Sequence, residues 1–195
     1  MSECPYQNFK SKVSKFINLL RIPREEYGGL PPCPFVGAEV DKDRLLIDVF
    51  DPSKSTIIEM VEKLNASNYD SALFVQVTQE ELSCDTTIAY QSFLNGLLKD
   101  EGYGNLKCIC INPNDTFETD GFNIRSRSPY FLINVAERSA LSSTHKKMLK
   151  TKYFDKMSNE YLDYLKVKKQ LTGEKNEKRR NRSISKSQTE NFRKI

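Results

Sequence analysis

The sequence predicts an α/β fold, a small three-layer domain around a short, mainly parallel sheet. Strands are expected at about 45–50, 72–77 and 106–111, with crossover helices between them and further helices at the two ends. Two observations carry this. Three apolar runs of strand length, LLIDVF, ALFVQV and LKCICI, alternate with two segments of helical periodicity. The joints between them are short, as in parallel strands linked by right-handed crossovers.

The elements follow in order. Within residues 8–21, Phe9, Val13, Phe16, Ile17 and Leu20 recur at helical spacing with lysines opposite, and Pro23 ends the helix. The stretch RIPREEYGGLPPCPF holds four prolines and two glycines, which forbid regular structure, yet Tyr27, Cys33 and Phe35 ask for burial. It reads as an ordered loop, with an extra strand near Glu39–Val40. After the first strand, Asp51-Pro52-Ser53 is a helix-start signal, and Ile57, Met60, Val61 and Leu64 form the inner face of the helix it opens. A second helix over 86–99 turns Ile88, Phe93, Leu94, Leu97 and Leu98 inward. Gly102-Tyr103-Gly104 reads as its C-cap and the turn into the third strand. The segment from Ile111 to Tyr130 has no periodicity, but Phe117, Phe122, Ile124 and Tyr130 argue for order. Helices are expected from about Tyr130 to Leu141 and from Ser158 to about Leu171.

Charge divides the chain. Of 30 Lys/Arg and 26 Asp/Glu, Lys166–Ile195 holds 11 and 3, so that end carries +8 and the first 165 residues −4. The domain organisation read from this is one α/β domain over 1–171 and a basic disordered tail over 172–195, whose few apolar residues cannot offset its ordering entropy. No run approaches the ~20 apolar residues of a membrane span, so no membrane partner is expected. The start of the chain lacks the unbroken apolar core of a secretory signal. Five cysteines without a CxxC pair, and one histidine, fit reduced thiols in a cytoplasmic setting and no structural zinc. No phosphate-binding glycine motif is present, and neither cofactor nor metal is expected. Cys108 and Cys110 fall on one face of their strand and read as core.

Ligands of open parallel sheets bind outside the C-terminal strand ends. Asp51, Gln76 to Thr78 and Asn112 lie there, and the long loop with Arg125 and Arg127 leaves from the same edge. This suits a small polar or anionic ligand, with arginine offering its planar fork. Asp51 equally reads as a helix cap and Arg127 as an ion-pair partner. Cys33 is the most suggestive thiol, as a nucleophile or as a small buried group; nothing in the sequence places His145, the one imidazole, beside it. The basic tail, residues 175–195 in particular, has the charge for salt-sensitive contact with nucleic acid or an acidic partner, as a non-catalytic interaction protein would use it.

Three segments in order, GLPPCPF (29–35), CINPNDTF (110–117) and RSRSPYFLINVAERS (125–139), resemble a bacterial domain-of-unknown-function family, number fourteen-fifteen. Its members show Cys-Pro-Phe near the start and Asn-Arg-Ser-Pro-Tyr-Pro near the end. The resemblance spans roughly residues 10–145 and implies that Cys33-Pro34-Phe35 and Arg127-Ser128-Pro129-Tyr130 share one site. The family brings no established activity. It shows His-Pro where this chain has Asn112-Pro113, and a second His-Pro near Gln76–Thr78, so any role of those histidines is lost here. The expectation is therefore a ligand site formed by Cys33, Asp51, Asn112, Arg127, Ser128 and Tyr130, with Cys33 as the catalytic thiol if the protein is an enzyme.

Overall fold

The computed structural model describes residues 5–76 and 82–165. In chain order the elements are α1 (Pro5–Arg21), α2 (Pro34–Asp41), β1 (Leu45–Phe50), α3 (Ile57–Asn65), β2 (Ser71–Gln76), α4 (Cys84–Asp100), β3 (Leu106–Ile111), β4 (Phe131–Glu137), α5 (Arg138–Met148) and α6 (Asn159–Leu165). Short 3-10 turns occupy Glu25–Tyr27 and Arg125–Arg127. The expected basic tail, 172–195, lies outside the described residues, as does the end of the last expected helix.

The four strands order as β1-β2-β4-β3. β1 and β2 pair in parallel, while β4 is antiparallel to both β2 and β3. The fold is α/β, and β1, β2 and β3 do point the same way. The sheet is not mainly parallel, however, because β4 separates β2 from β3. The helix expected over 130–141 is therefore a correction: its first half is β4. The run FLINVA has no polar face, and a helix of that composition would need burial all round. As a strand between two others it is buried on both faces, with every residue from Phe131 to Ala136 inside. The connection from β3 crosses no helix, so the chain returns from the end where it left, which makes β4 antiparallel.

Two further expectations change. Glu39–Val40 lies in α2, which Pro34 opens at its first position. α3 begins at Ile57 rather than beside Pro52. Its cap is Thr56, whose Oγ1 accepts from Glu59 N–H at 3.2 Å while the Glu59 carboxylate accepts from Thr56 N–H at 2.7 Å. Asp51 instead closes a turn, accepting from Ser53 N–H and Oγ at 3.0 and 2.6 Å.

The sheet separates two apolar cores, giving three layers. On one side Ala72, Phe74, Ile133, Val135, Cys108 and Cys110 meet the inner faces of α3 and α4. On the other, Leu73, Val75, Leu132 and Ala136 meet α1, α2, Ile124 and the aromatic group Tyr153, Phe154 and Tyr161. β3 is an edge strand, and α4 occupies its outer side. Asn95 donates to Cys108 O at 2.9 Å and accepts from Cys108 N–H at 3.0 Å, and Gln91 accepts from Cys110 N–H at 2.8 Å.

The loop 22–33 is held by a turn through Gly28 and Gly29, both at positive φ. A Cβ on Gly28 would lie 2.7 Å from the Lys152 backbone oxygen, whereas one on Gly29 would meet nothing within 4 Å. Gly29→Ala is expected to cost about 1–2 kcal/mol, the left-handed penalty alone. Gly28→Ala should cost more than that, because two backbone segments must also separate. Urea unfolding of the two variants checks this, and equal losses would contradict it.

Candidate functional site

The loop 112–130 is ordered from within. Asn112, fully buried, donates to Leu82 O and Thr87 Oγ1, both at 2.7 Å, and accepts from Asn114 N–H at 2.9 Å. Asp115 accepts from Phe117 N–H at 2.8 Å and pairs through Oδ2 with Arg125 Nη1 at 3.1 Å. Both members of this pair are buried, and Arg125 Nη1 also donates to Cys110 O at 3.2 Å. Beyond it, Phe117 stacks on Tyr161 of α6 with ring centroids 5.5 Å apart.

Arg125, not Arg127, points into the fold. Arg127 is exposed, with its guanidinium 5.5 Å from the Phe122 ring centre. Ser128 is buried and donates to Tyr130 O at 2.6 Å, and the Tyr130 ring lies 5.4 Å from that of Phe9. Asp51 pairs with Lys54 at 2.8 Å, and Lys54 and Ser53 together hold its carboxyl down at about 2. Asp51, Asn112, Arg127, Ser128 and Tyr130 thus each have a local partner, and among the described residues none of the five lines either of two cavities that Cys33 lines. Of the expected set, only Cys33 does.

Two cavities meet at Cys33. The larger, about 460 Å³, is a cleft between α2, α5 and the β3 edge, bounded by Lys107, Arg138, His145, Met148 and Tyr153. The smaller, about 120 Å³, lies over the sheet face, bounded by Ile109, Ile111, Arg125, Asn134 and Tyr161. Pro32, Cys33, Phe35, Ile109 and Leu141 line both. The loop carrying Cys33 is fixed from two sides: Cys33 N–H donates to Leu20 O at 3.1 Å, and the Tyr153 hydroxyl donates to Pro32 O.

Cys33 stands at the N-cap position of α2 without a side-chain cap hydrogen bond, where the Val36 and Phe35 N–H groups and the Arg125 charge favour its thiolate. Burial outweighs them and pushes the thiol above its ordinary range. His145 is the reverse case. Burial, with Lys107 nearby, lowers its pKa, and its Nε2 is buried with no hydrogen-bond partner. Its ring meets Phe154 edge-on at 5.6 Å. Lys107 and Arg138 bring basic groups to the cleft and His145 a neutral imidazole, and none of the described residues that bound it carries a carboxylate.

Sequence reasoning did not name Asn134, Lys107 or Arg138 for a site and left His145 unplaced; of the two loop arginines it named Arg127, whereas Arg125 lines the smaller cavity. Asn134 did leave a signal, as the single polar residue of FLINVA. Among the described residues no group of three or more His, Cys, Asp or Glu could hold a metal ion, and no helix is long and apolar enough to cross a membrane. Residues 175–195, expected to reach nucleic acid, lie outside the described residues. Comparison with protein-family models, with curated proteins and with solved structures found no match.

Two outcomes follow from these shifts. Iodoacetamide at pH 8 should label Cys33 several-fold more slowly in the folded chain than in urea, read by mass spectrometry of the peptides; a folded rate equal to the unfolded one would show an activated thiol. For His145, the folded pKa lies below the unfolded value of about 6.5. The unfolded chain therefore takes up the proton first as the pH falls. The stability that neutral His145 contributes is complete above 6.5 and is lost as the pH falls from there through the folded value. The urea midpoint should drop between pH 7.5 and 5.5 by less in His145→Gln than in the wild type.

Proposed function

We propose that the chain binds a small organic anion with an apolar body in the cleft beside Cys33, rather than at the C-terminal ends of the parallel strands. The observation that carries this is the composition of the cleft wall. Two basic side chains, Lys107 and Arg138, stand with neutral His145 around Leu141, Met148, Tyr153 and Phe154, and Arg138 is oriented by hydrogen bonds to Gly104 O at 2.8 Å and Asn95 Oδ1 at 3.4 Å. At about 460 Å³ the cleft has the volume of a small-molecule site, and such sites combine an apolar lining with a few polar groups that fix orientation. Charge-assisted hydrogen bonds from cations at a partly dry wall favour a carboxylate or phosphate over a neutral group of the same shape. The cysteine, held as a neutral thiol, belongs to the wall in this reading; its chemistry is contact rather than nucleophilic attack. The resemblance to the Cys-Pro-Phe family supports the position of the site and brings no substrate with it.

Calorimetric titration of the full chain with 4-phenylbutyrate, hexyl phosphate and the neutral 4-phenylbutanol tests the reading. The anions should bind at least about tenfold more tightly than the alcohol, a difference of about 1.4 kcal/mol. Lys107→Glu should remove that preference, and Ser142→Trp, which narrows the cleft from an exposed position, should remove binding altogether. Equal affinity for anion and alcohol, or no binding of either, overturns it.

A further inference from the structure

The smaller cavity has a chemistry different from that of the cleft it adjoins. Its most unusual lining residue is Asn134, in the middle of the central strand β4 and only 5% exposed. Asn134 stands opposite Leu73 on one side and Ile109 on the other. Its Oδ1 is buried and accepts no hydrogen bond. Leaving such an acceptor unmet costs about 1–3 kcal/mol, and an apolar residue of the same shape would avoid that cost. An asparagine at the centre of an apolar strand, facing a cavity, is therefore a group with an unmet need for a donor.

The charge state of the cavity narrows what can supply it. Arg125 lines the same space, but its charge is balanced by Asp115 at 3.1 Å, so the wall is neutral overall. A net charge placed there would be buried without compensation, which is strongly disfavoured. Its volume, about 120 Å³, is roughly a quarter of the cleft's 460 Å³. It accommodates a terminal group of a few heavy atoms, not a whole ligand.

We infer that the cavity over Asn134 is a specificity subsite for an uncharged, hydrogen-bond-donating group, reached past Cys33 from the cleft. The inference rests on the reading of the cleft as a ligand site. It adds that the ligand has two unlike ends: an anionic one held by Lys107 and Arg138, and a neutral donor, such as a primary carboxamide, that reaches Asn134 Oδ1. Cys33, Phe35 and Leu141, which line both spaces, would flank the neck between the two ends.

The test uses the ¹⁵N-labelled full chain, titrated separately with propionamide, propionate and 4-phenylbutyrate and followed by NMR. Propionamide and propionate have nearly the same shape and differ in charge and in the donor. Propionamide is expected to shift the Asn134 side-chain amide and the backbone amides of Ile109 and Ile111 saturably, with propionate at least tenfold weaker on the same signals. Asn134→Leu should abolish the propionamide response at Ile109 and Ile111. That variant should also melt at a higher temperature than the wild type, which shows that a lost response is not a lost fold. Equal responses to amide and carboxylate, no response to either, or an undiminished response in Asn134→Leu each overturn the subsite. 4-Phenylbutyrate reports on the cleft separately through the amides of Lys107 and His145. Silence there, with an intact propionamide response at Ile109, would remove the anion reading and leave a neutral subsite alone.

Discussion

The Arg125–Asp115 ion pair is the constraint on which the Cys33 side of the molecule depends. It lies where β3 ends, the loop 112–130 turns and α6 packs, and it binds all three: Arg125 holds the Cys110 carbonyl, Asp115 holds the Phe117 amide, and Phe117 stacks on Tyr161. A buried pair of this kind contributes little net stability, because desolvating both charges offsets most of their attraction. What it does contribute is a single geometry. Neither charge can leave the other behind, so the loop has one way to close. Arg125 and Tyr161, set by that geometry, form part of the wall of the smaller cavity.

Much of the fold was legible, and the part that was not has a definite cause. Apolar runs of strand length and the amphipathic periods of α1, α3 and α4 located those elements within a few residues, since each has a face to declare. β4 has no such face. Its residues are inside on both sides, and a short run with one polar residue among apolar ones is compatible with either a strand or a buried helix until its neighbours are known. Reading it as a helix removed the only antiparallel strand and left β2 and β3 as neighbours. Asp51-Pro52-Ser53 misled for a local reason: the same residues that open a helix also close a turn, and only the Thr56–Glu59 pair further on decides between them.

The candidate site was legible in one residue, Cys33, marked by the prolines around it. The polar residues at the strand ends drew attention because they are polar, yet Asn112 and Ser128 spend their hydrogen bonds on the protein itself. The choice between Arg125 and Arg127 turns on a single 3-10 turn, in which residues two apart face different ways while residues three apart align. His145 and Asn134 come to the site only through tertiary structure. One arrives on α5 after β4 has been placed, and the other sits inside the strand that the sequence disguised.

The grip of α4 on β3 has a consequence for how the molecule behaves among its own copies. An edge strand normally offers a row of unmet amides and carbonyls on which another chain can build, and proteins blunt such edges to avoid polymerising. Here Asn95 meets Cys108 much as a neighbouring strand would, and Gln91 meets Cys110, so side chains of a helix stand where a fifth strand would begin. At the far edge the Asp48 carboxylate takes up the Val49 amide at 2.8 Å and draws Lys63 over it. The sheet is thus closed to templated growth where these groups are engaged. At those positions the strands present side chains to a neighbouring molecule, not open backbone.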